Sequence, residues 1–308
     1  MADTADSRWW TLALSEEVTD KKPLSVDIGD QPVVLWRDKQ GVARALEDRC
    51  PHRRAPLSLG CIRDNGWIQC GYHGWSYDGE TGKLRDIPNM KGEQRFPPLY
   101  KARNFAVAED GGFVRVSLDE AAVPAPAAET LPLSGISQVA LSQEQYIDAL
   151  FDDPGLLIDI RGVSFTPYLM SELHEENGRL VMERSCQWKG LHWPAPFSSD
   201  FPITVTTSSD PFTGETGLIL RDADFNELLV ATMAPVPSAR GSTAIRWRAR
   251  LGKQLKGAHA RMLGIGTPFH VRDTIDAAAL RVLKPSASLH GRRLRTGMTQ
   301  AAVHTTAA

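Results

Sequence analysis

Two cysteines and two histidines stand in a spacing that suits a metal centre. Cys50-Pro51-His52 is followed, after seventeen intervening residues, by Cys70-Gly71-Tyr72-His73. Each of two short segments therefore offers one thiolate and one imidazole, which are ligands for zinc and for iron–sulfur clusters. The residues predict a metal site built from two separate loops.

Two kinds of centre are candidates for this donor set. Zinc binds two cysteines and two histidines tetrahedrally, but zinc sites usually group their ligands as a cysteine pair and a histidine pair. In a 2Fe-2S cluster of the Rieske type, two thiolates hold one iron and two neutral histidines hold the other. Because each loop here presents both ligand types, the spacing favours the iron–sulfur cluster, which passes single electrons.

The elements that must position these ligands are short strands separated by turns. In residues 24–118, apolar and polar residues alternate in short runs, which is typical of β-strands. Residues that tolerate tight turns separate the runs, at 38–41, 64–66, 78–79 and 110–112. We therefore predict that residues 1–118 form a small all-β domain. An alanine- and proline-rich stretch follows, and residues 119–135 are predicted to be a linker.

Residues 136–308 predict a second domain of α+β class. A short helix is expected at 142–151 and a longer one at 271–283. Five strands are predicted between them, at 179–184, 202–207, 217–221, 227–233 and 243–250. Strands followed by a long helix indicate an antiparallel sheet with that helix packed across it.

The two ligand segments resemble the Rieske domain of ring-hydroxylating and demethylating non-haem iron oxygenases, and the vanillate demethylase oxygenase branch looks closest. Residues 50–60 (CPHRRAPLSLG) and 69–75 (QCGYHGW) carry the resemblance. The family usually has proline where this chain has Gly71, a change that loosens the loop and removes no ligand. The cluster ligands that the resemblance implies are Cys50, His52, Cys70 and His73.

The respiratory Rieske class is similar in its ligands but has an additional cysteine pair that joins the two loops. Ala55 and Tyr72 occupy the corresponding positions here. The resemblance therefore implies a low-potential cluster, toward the lower end of the roughly −150 to +300 mV span of Rieske centres. It also implies that the electrons come from a flavin- or ferredoxin-type reductase.

In this family the second domain is a helix-grip fold that binds a mononuclear Fe(II) through two histidines and one carboxylate. Residues 150–162 (LFDDPGLLIDIRG) resemble the family's ligand segment. In that register Asp153 matches the aspartate that bridges electron transfer, and Leu156 and Arg161 stand at the two histidine positions. Leucine has no lone pair and arginine stays protonated, so neither binds iron. The register therefore identifies no mononuclear iron ligand in this chain.

Other assignments of this segment stay open. The match is a chance one if the register is wrong, or the ligands are His174 and His192 in a rearranged site. Asp273 and Asp276 lie on the predicted late helix, where the family carries its carboxylate. An exposed helical acid is the alternative for each of these two aspartates.

Three functions follow from these features. The first is a Rieske oxygenase component that passes electrons to the mononuclear iron of a homologous catalytic subunit. The two subunits would share a trimeric or hexameric ring that hydroxylates or demethylates a small aromatic or heterocyclic substrate. The second is a self-sufficient terminal oxygenase with its own Fe(II) at an atypical site. The third is a simple electron carrier, for which a second domain of this size is not needed.

Composition argues against two classes of partner. The chain has 308 residues, a formal net charge of −2 and a pI near 6.5, so it lacks the basic footprint of a nucleic-acid-binding protein. The sequence shows neither a basic-then-apolar start nor an apolar run long enough to cross a bilayer. We therefore expect no nucleic acid, no membrane and a cytoplasmic location.

Overall fold

The computed structural model describes residues 8–90, 96–118, 127–160, 163–188, 203–238, 241–252 and 269–274. The chain divides into two compact units, Met1–Thr130 and Leu131–Ala308, here called unit 1 and unit 2. The described residues are mostly β-strand in both units. Each unit has its own apolar core.

Unit 1 consists of three small antiparallel sheets. Their strand orders are β1-β10-β9, β2-β3-β4 and β5-β6-β7-β8. The predicted turns are confirmed where they join these strands, for example at Gly41 and Gly66, whose φ angles are 78° and 84°. The strands are β1 (Trp9–Leu14), β2 (Leu24–Ile28), β3 (Gln31–Arg37), β4 (Ala43–Glu47), β5 (Cys61–Ile62), β6 (Ile68–Gln69), β7 (Ser76–Tyr77), β8 (Leu84–Asp86), β9 (Ala106–Asp110) and β10 (Phe113–Ser117).

The core of unit 1 reaches the two predicted ligand cysteines. Trp36, Ile68 and Tyr77 are completely buried, and Cys50 and Cys70 belong to the same apolar cluster. The cysteines are therefore anchored on packed side chains, which hold them in place more firmly than an exposed loop does.

Glycines let the two predicted ligand loops approach each other backbone to backbone. A Cβ on Gly60 would overlap the carbonyl oxygen of Gln69 and stand 3.0 Å from the amide nitrogen of Gly71. A Cβ on Gly71 would stand 2.8 Å from the carbonyl oxygen of Leu59. No real Cβ tolerates such distances, so these two positions require glycine for this packing.

Unit 2 is built on an eight-stranded antiparallel sheet. Its order is β11-β19-β18-β17-β16-β15-β13, with β14 paired to β15, and β12 pairs separately with β20. These strands are β11 (Leu133–Val139), β12 (Ile158–Ile160), β13 (Val163–Met170), β14 (His174–Glu176), β15 (Arg179–Trp188), β16 (Ile203–Ser209), β17 (Thr216–Arg221), β18 (Glu227–Pro237), β19 (Thr243–Leu251) and β20 (Phe269–Val271).

One α-helix lies within the described part of the chain, α1 (Gln143–Asp152). Ser142 and Gln145 form a capping box at its start, since each side chain bonds the other residue's backbone N–H, at 3.2 and 3.0 Å. Its apolar face packs against the sheet through Tyr146, Leu150 and neighbouring side chains. This confirms the helix predicted at 142–151.

The five predicted strands of unit 2 are confirmed as β15 to β19, with ends shifted by a few residues. The helix predicted at 271–283 is wrong at its start, because Val271 belongs to β20 and residues 272–274 are not helical. The rest of that range lies outside the described residues. β11 begins at Leu133, within the range predicted as linker.

Helices of the described ranges include none that combines the length and apolar character needed to span a bilayer. The α+β class predicted for unit 2 is matched to the extent that α1 packs on an antiparallel sheet.

The packing of Gly60 generates a stability prediction. Gly60→Ala should lower the free energy of unfolding by about 1–3 kcal/mol, because the loops must separate to admit the methyl group. The measurement is denaturant unfolding of the full chain. Leu59→Ala is the matched control, since the Leu59 side chain is 78% exposed and its removal should change stability by about 0.5 kcal/mol or less. Equal midpoints for the two variants would contradict the close approach.

Candidate metal centre

The two predicted ligand loops close in the same way. In the first loop, the Cys50 amide donates to the carbonyl oxygen of Ala55 at 2.8 Å, and the Arg54 amide donates to that of Cys50 at 2.7 Å. In the second, the Cys70 amide donates to Trp75 at 2.9 Å, and the Gly74 amide donates to Cys70 at 3.0 Å. The sequence offsets of five and four residues are identical, so each cysteine is fixed by a loop of the same geometry.

The four predicted ligands come together as two pairs. Cys50 and Cys70 are each only 2% exposed, and their charges interact. Desolvation, and secondarily Cys50, raises the pKa of the Cys70 thiol. The Nδ1 atoms of His52 and His73 lie 3.1 Å apart, with His52 half-buried and His73 exposed. A buried thiol pair thus lies beneath an imidazole pair at the surface.

This pairing fits a two-iron centre better than a zinc ion. Within the described ranges, no three or more His, Cys, Asp or Glu side chains converge closely enough to hold one metal ion. A 2Fe-2S cluster of the Rieske type takes two protein ligands per iron. Two nitrogens at about 2.1 Å from one tetrahedral metal ion stand roughly 3.4 Å apart, close to the spacing of the two histidines. The donor set therefore suits one iron at the thiols and another at the imidazoles.

Protonation also suits the imidazole pair. Desolvation, the facing His73 and then the neighbouring Arg53 all lower the pKa of His52. A metal-binding imidazole must be neutral at the coordinating nitrogen, and these surroundings favour that form.

A buried phenol contacts one of the predicted ligand sulfurs. The Tyr77 hydroxyl lies 3.1 Å from Sγ of Cys50, and the residue is completely buried. Desolvation, followed by the contact with Cys50, raises the pKa of Tyr77 far above its usual value. The phenol therefore keeps its proton and donates to the sulfur when Cys50 is a thiolate.

Aromatic rings orient the two imidazoles. The ring of Trp75 stacks on His52 with a centroid distance of 4.2 Å and an interplanar angle of 4°, and it meets Tyr100 edge to face at 5.0 Å. The Tyr72 ring lies 3.9 Å from that of His73. Each imidazole thus has one aromatic neighbour that fixes its plane.

A buried carboxylate ties the far end of the first loop to the sheet. Asp48 accepts hydrogen bonds from the Ser58 amide at 2.7 Å and from the Ser58 hydroxyl at 2.5 Å. It also accepts one from the Ser25 hydroxyl at 2.9 Å. The loop of Cys50 and His52 is therefore held at both ends.

Sequence reasoning did not single out Tyr77, Trp75 or Asp48. All three lie within four residues of a predicted ligand, at Cys50 or His73, so proximity along the chain was a usable signal. Their contacts were not, because Tyr77 and Cys50 are 27 residues apart.

The described residues that were considered for a mononuclear iron site do not come together as the cysteines and histidines of unit 1 do. Asp153 is exposed at the end of α1, and its Oδ1 accepts the Gly155 amide at 3.1 Å. Leu156 packs against the apolar core of unit 2. His174 is exposed on β14 with Nδ1 3.1 Å from the carbonyl oxygen of Glu172. Asp273 is exposed and accepts the Gln138 amide at 3.3 Å. Arg161, His192 and Asp276 lie outside the described residues.

The backbone nevertheless brings the two expected ligand segments side by side. β12 pairs with β20, with Ile158 opposite Val271. The Arg272 amide also donates to the carbonyl oxygen of Leu157 at 2.8 Å. The two segments are therefore adjacent, and the described side chains on them include no group of metal ligands.

Comparison with known proteins identifies the domain in unit 1. Residues 8–101 match the model of the Rieske [2Fe-2S] domain. The chain is 37% identical over 124 residues to Protein TIC 55, chloroplastic, from Arabidopsis thaliana, an alignment of 40% of this chain and 22% of that protein. It is 40% identical over 120 residues to the oxygenase component of dicamba O-demethylase from Stenotrophomonas maltophilia, covering 39% of this chain and 34% of that protein.

These alignments span well under half of the relatives' lengths, and the same holds for the vanillate O-demethylase oxygenase subunit of a Pseudomonas species. That subunit is 41% identical over 108 residues, which cover 35% of this chain and 28% of its own length. The identity between the sequences thus concerns 35–40% of this chain.

Solved structures with a similar fold align with most or all of the chain. Dicamba monooxygenase bound to 3,6-dichlorosalicylic acid has a TM-score of 0.67 at 19% identity, and each chain is fully covered. Pseudomonas putida CBB5 NdmA with caffeine has a TM-score of 0.56 at 18% identity, covering 93% of this chain and 89% of that one. At such identities the likeness is one of fold.

The Tyr77 contact generates a redox prediction. Tyr77→Phe should lower the midpoint potential by about 40 mV, because a hydrogen bond of about 1 kcal/mol no longer favours the reduced centre. The conversion uses the rule that a tenfold change in the equilibrium constant corresponds to about 59 mV for one electron. The measurement is a spectroscopic redox titration. Tyr72→Phe is the control, since that ring is 62% exposed. An intact centre with an unchanged potential in Tyr77→Phe would refute the assignment.

Proposed function

Because residues 8–101 are a Rieske [2Fe-2S] domain, we propose that Cys50, His52, Cys70 and His73 hold a 2Fe-2S cluster. Once bound by these residues, the cluster would accept one electron and pass it on. The observation that carries the proposal is the pairing of two buried thiols with two imidazoles whose Nδ1 atoms stand 3.1 Å apart.

The burial of the four residues defines the side from which an electron donor or acceptor can reach the centre. The thiols lie in the apolar core, while His73 is exposed and His52 is half-buried. An electron donor or acceptor therefore reaches the centre through the imidazole edge. Trp75 and Tyr72 keep the imidazoles in place, and Tyr77 donates to a sulfur. The donated bond stabilises the added negative charge of the reduced form.

On this proposal the chain is a Rieske oxygenase component in the cytoplasm. A flavin- or ferredoxin-type reductase supplies its electrons, and the chain passes them to the mononuclear iron of a homologous subunit in a trimeric or hexameric ring. The reaction is hydroxylation or demethylation of a small aromatic or heterocyclic substrate, in keeping with relatives named dicamba O-demethylase and vanillate O-demethylase. Unit 2 then has the helix-grip fold of a catalytic domain.

Placing the mononuclear iron in another chain is supported by the residues of unit 2. Leu156 packs against the apolar core and has no ligand atom. Asp153 is exposed at the end of α1, where a partner subunit has access to it. We assign Asp153 as the bridge for electron transfer to that partner.

The second candidate is a self-sufficient terminal oxygenase with its own Fe(II) at an atypical site. The likeness of fold to dicamba monooxygenase over the full chain and the pairing of β12 with β20 favour it. Iron content distinguishes the two candidates, because a self-sufficient oxygenase holds three irons per chain and an electron-supplying component holds two.

The first test is the metal content of the anaerobically purified chain. We expect two irons and two acid-labile sulfides, and a Rieske-type electron paramagnetic resonance signal after reduction. Cys70→Ser replaces a soft thiolate by a hydroxyl and should abolish the cluster and lower the thermal midpoint of unit 1. Cys186→Ser is the control, because Cys186 is a buried cysteine of unit 2 and its loss should leave the cluster intact. A zinc-only preparation, made with iron supplied and oxygen excluded, would disprove the cluster.

The second test concerns the bridge. In a complex with the co-purifying catalytic subunit, Asp153→Asn should slow reoxidation of the cluster by about tenfold, because the amide loses a charge-assisted hydrogen bond to the partner. The spectrum of the cluster should not change. Asp159→Asn is the matched control, an exposed aspartate on β12 that lies 3.9 Å from Arg272. Equal reoxidation rates for the two variants would remove Asp153 from the route, and a third stoichiometric iron supporting turnover without a partner would favour the self-sufficient oxygenase.

A further inference from the structure

A buried arginine lies at the C-terminal end of α1. Arg184 occupies an inward-facing position of β15, on the same face as Met182 and Cys186, and is only 3% exposed. Its Nη2 donates to the carbonyl oxygen of Phe151 at 2.5 Å and to that of Asp152 at 2.9 Å. The guanidinium thus binds the last carbonyls of the helix from the neighbouring strand.

This end of α1 carries an excess of negative charge. The carbonyls at a helix C-terminus have no partner within the helix and carry partial negative charge. Asp152 and Asp153 add two carboxylates at the same place, and the last turn of α1 contains no basic residue. Such an arrangement is unfavourable unless a cation from outside the helix is present.

The electrostatics around Arg184 match that requirement. Burial lowers the pKa of the guanidinium, whereas the charge of Asp153, and to a smaller extent those of Cys186 and Asp152, raise it. In turn, desolvation raises the pKa of Asp152, and Arg184 lowers it. An arginine stays charged in proteins, so a permanent cation lies close to both carboxylates.

The same end of unit 2 is where the sequence register expects a divalent metal. Asp153 is followed three residues later by Leu156, which packs against the core, and β12 pairs with β20 beyond it. No cluster of metal ligands occurs among the side chains that the structure describes there. The described residues do not fit a mononuclear iron, and a cation of a different kind, Arg184, contacts the backbone immediately before Asp153.

We propose that Arg184 is the fixed cation of this end of unit 2: it offsets part of the negative charge of the α1 carbonyls, Asp152 and Asp153, and thereby disfavours binding of a divalent metal ion. A guanidinium fills the role permanently, since it neither exchanges nor loses its proton. The inference gives a physical reason why the proposed function places the mononuclear iron in another subunit. It does not depend on the cluster or on any partner.

Titration with Mn²⁺ tests the proposal on the full-length, oxidised chain. Arg184→Gln leaves two carboxylates and the helix carbonyls, all oxygen ligands of the kind that Mn²⁺ prefers, without their cation. It should bind Mn²⁺ roughly tenfold or more tightly than the parent chain, measured as loss of the free-ion paramagnetic signal. Adding Asp152→Asn and Asp153→Asn to that variant should remove the gain.

Arg179→Gln is the matched control. Arg179 lies on the same strand, and its substitution removes the same charge. Its guanidinium donates to Ser208 and to the carbonyl oxygen of Glu215 instead of to the carbonyls of α1. Mn²⁺ binding by Arg184→Gln that is no tighter than binding by Arg179→Gln would overturn the proposal. Such a failure would leave the cluster spectrum, and with it the proposed electron transfer, unaffected.

A second pair of variants covers the case in which Arg184→Gln does not fold. Arg184→Lys keeps the charge, and Arg184→Met keeps much of the length without it. The proposal requires a higher thermal midpoint for the lysine variant. A methionine variant that is as stable as the lysine variant would show that apolar packing suffices at this position, and would overturn the proposal.

Discussion

The backbone contact between the two ligand loops is the constraint on which unit 1 depends. Gly60 and Gly71 bring the loops so close that neither position has room for a side chain. Because both loops close on their cysteines with the same hydrogen-bond offsets, the contact sets the thiols side by side and the imidazoles side by side. The three small sheets and the Asp48 clamp then serve to hold these loops in register.

Burial divides the four ligands into two chemical roles. Thiolates in an apolar core are costly unless a metal or hydrogen bonds neutralise them, and here the sulfur of Cys50 receives the phenol of Tyr77. Imidazoles need no such compensation, since they bind as neutral groups, and they lie at the surface where another protein has access. With the thiols buried and the imidazoles at the surface, electrons reach and leave the centre through the imidazole edge.

The sequence predicted those features whose physics is local. The four candidate ligands stood out because their types and spacing already express the chemistry of such a site. Alternation predicted the β-rich unit 1 and the strands β15 to β19 of unit 2, and the short helix predicted at 142–151 corresponds to α1. Long-range pairings were not accessible. Val271, the last residue of β20, was predicted as the start of a helix, because its pairing with β12 joins segments more than a hundred residues apart. Arg184 likewise seemed an ordinary strand residue until the fold placed it against the carbonyl of Phe151.

The end of α1 has a charge requirement that more than one kind of cation can meet. Two carboxylates at a negative helix terminus require a cation, but the requirement does not specify which one. A metal ion satisfies it and leaves coordination positions open for reactants. An arginine supplies a single positive charge and leaves none. On the proposed function, an arginine in place of a metal ion keeps the packing and removes reactivity, so a chain can share the fold of dicamba monooxygenase while the side chains described at this end include no group of metal ligands. On the proposed function, the electrons that unit 1 accepts are then used in another chain, because Arg184 at the end of α1 cannot accept them as a metal ion would.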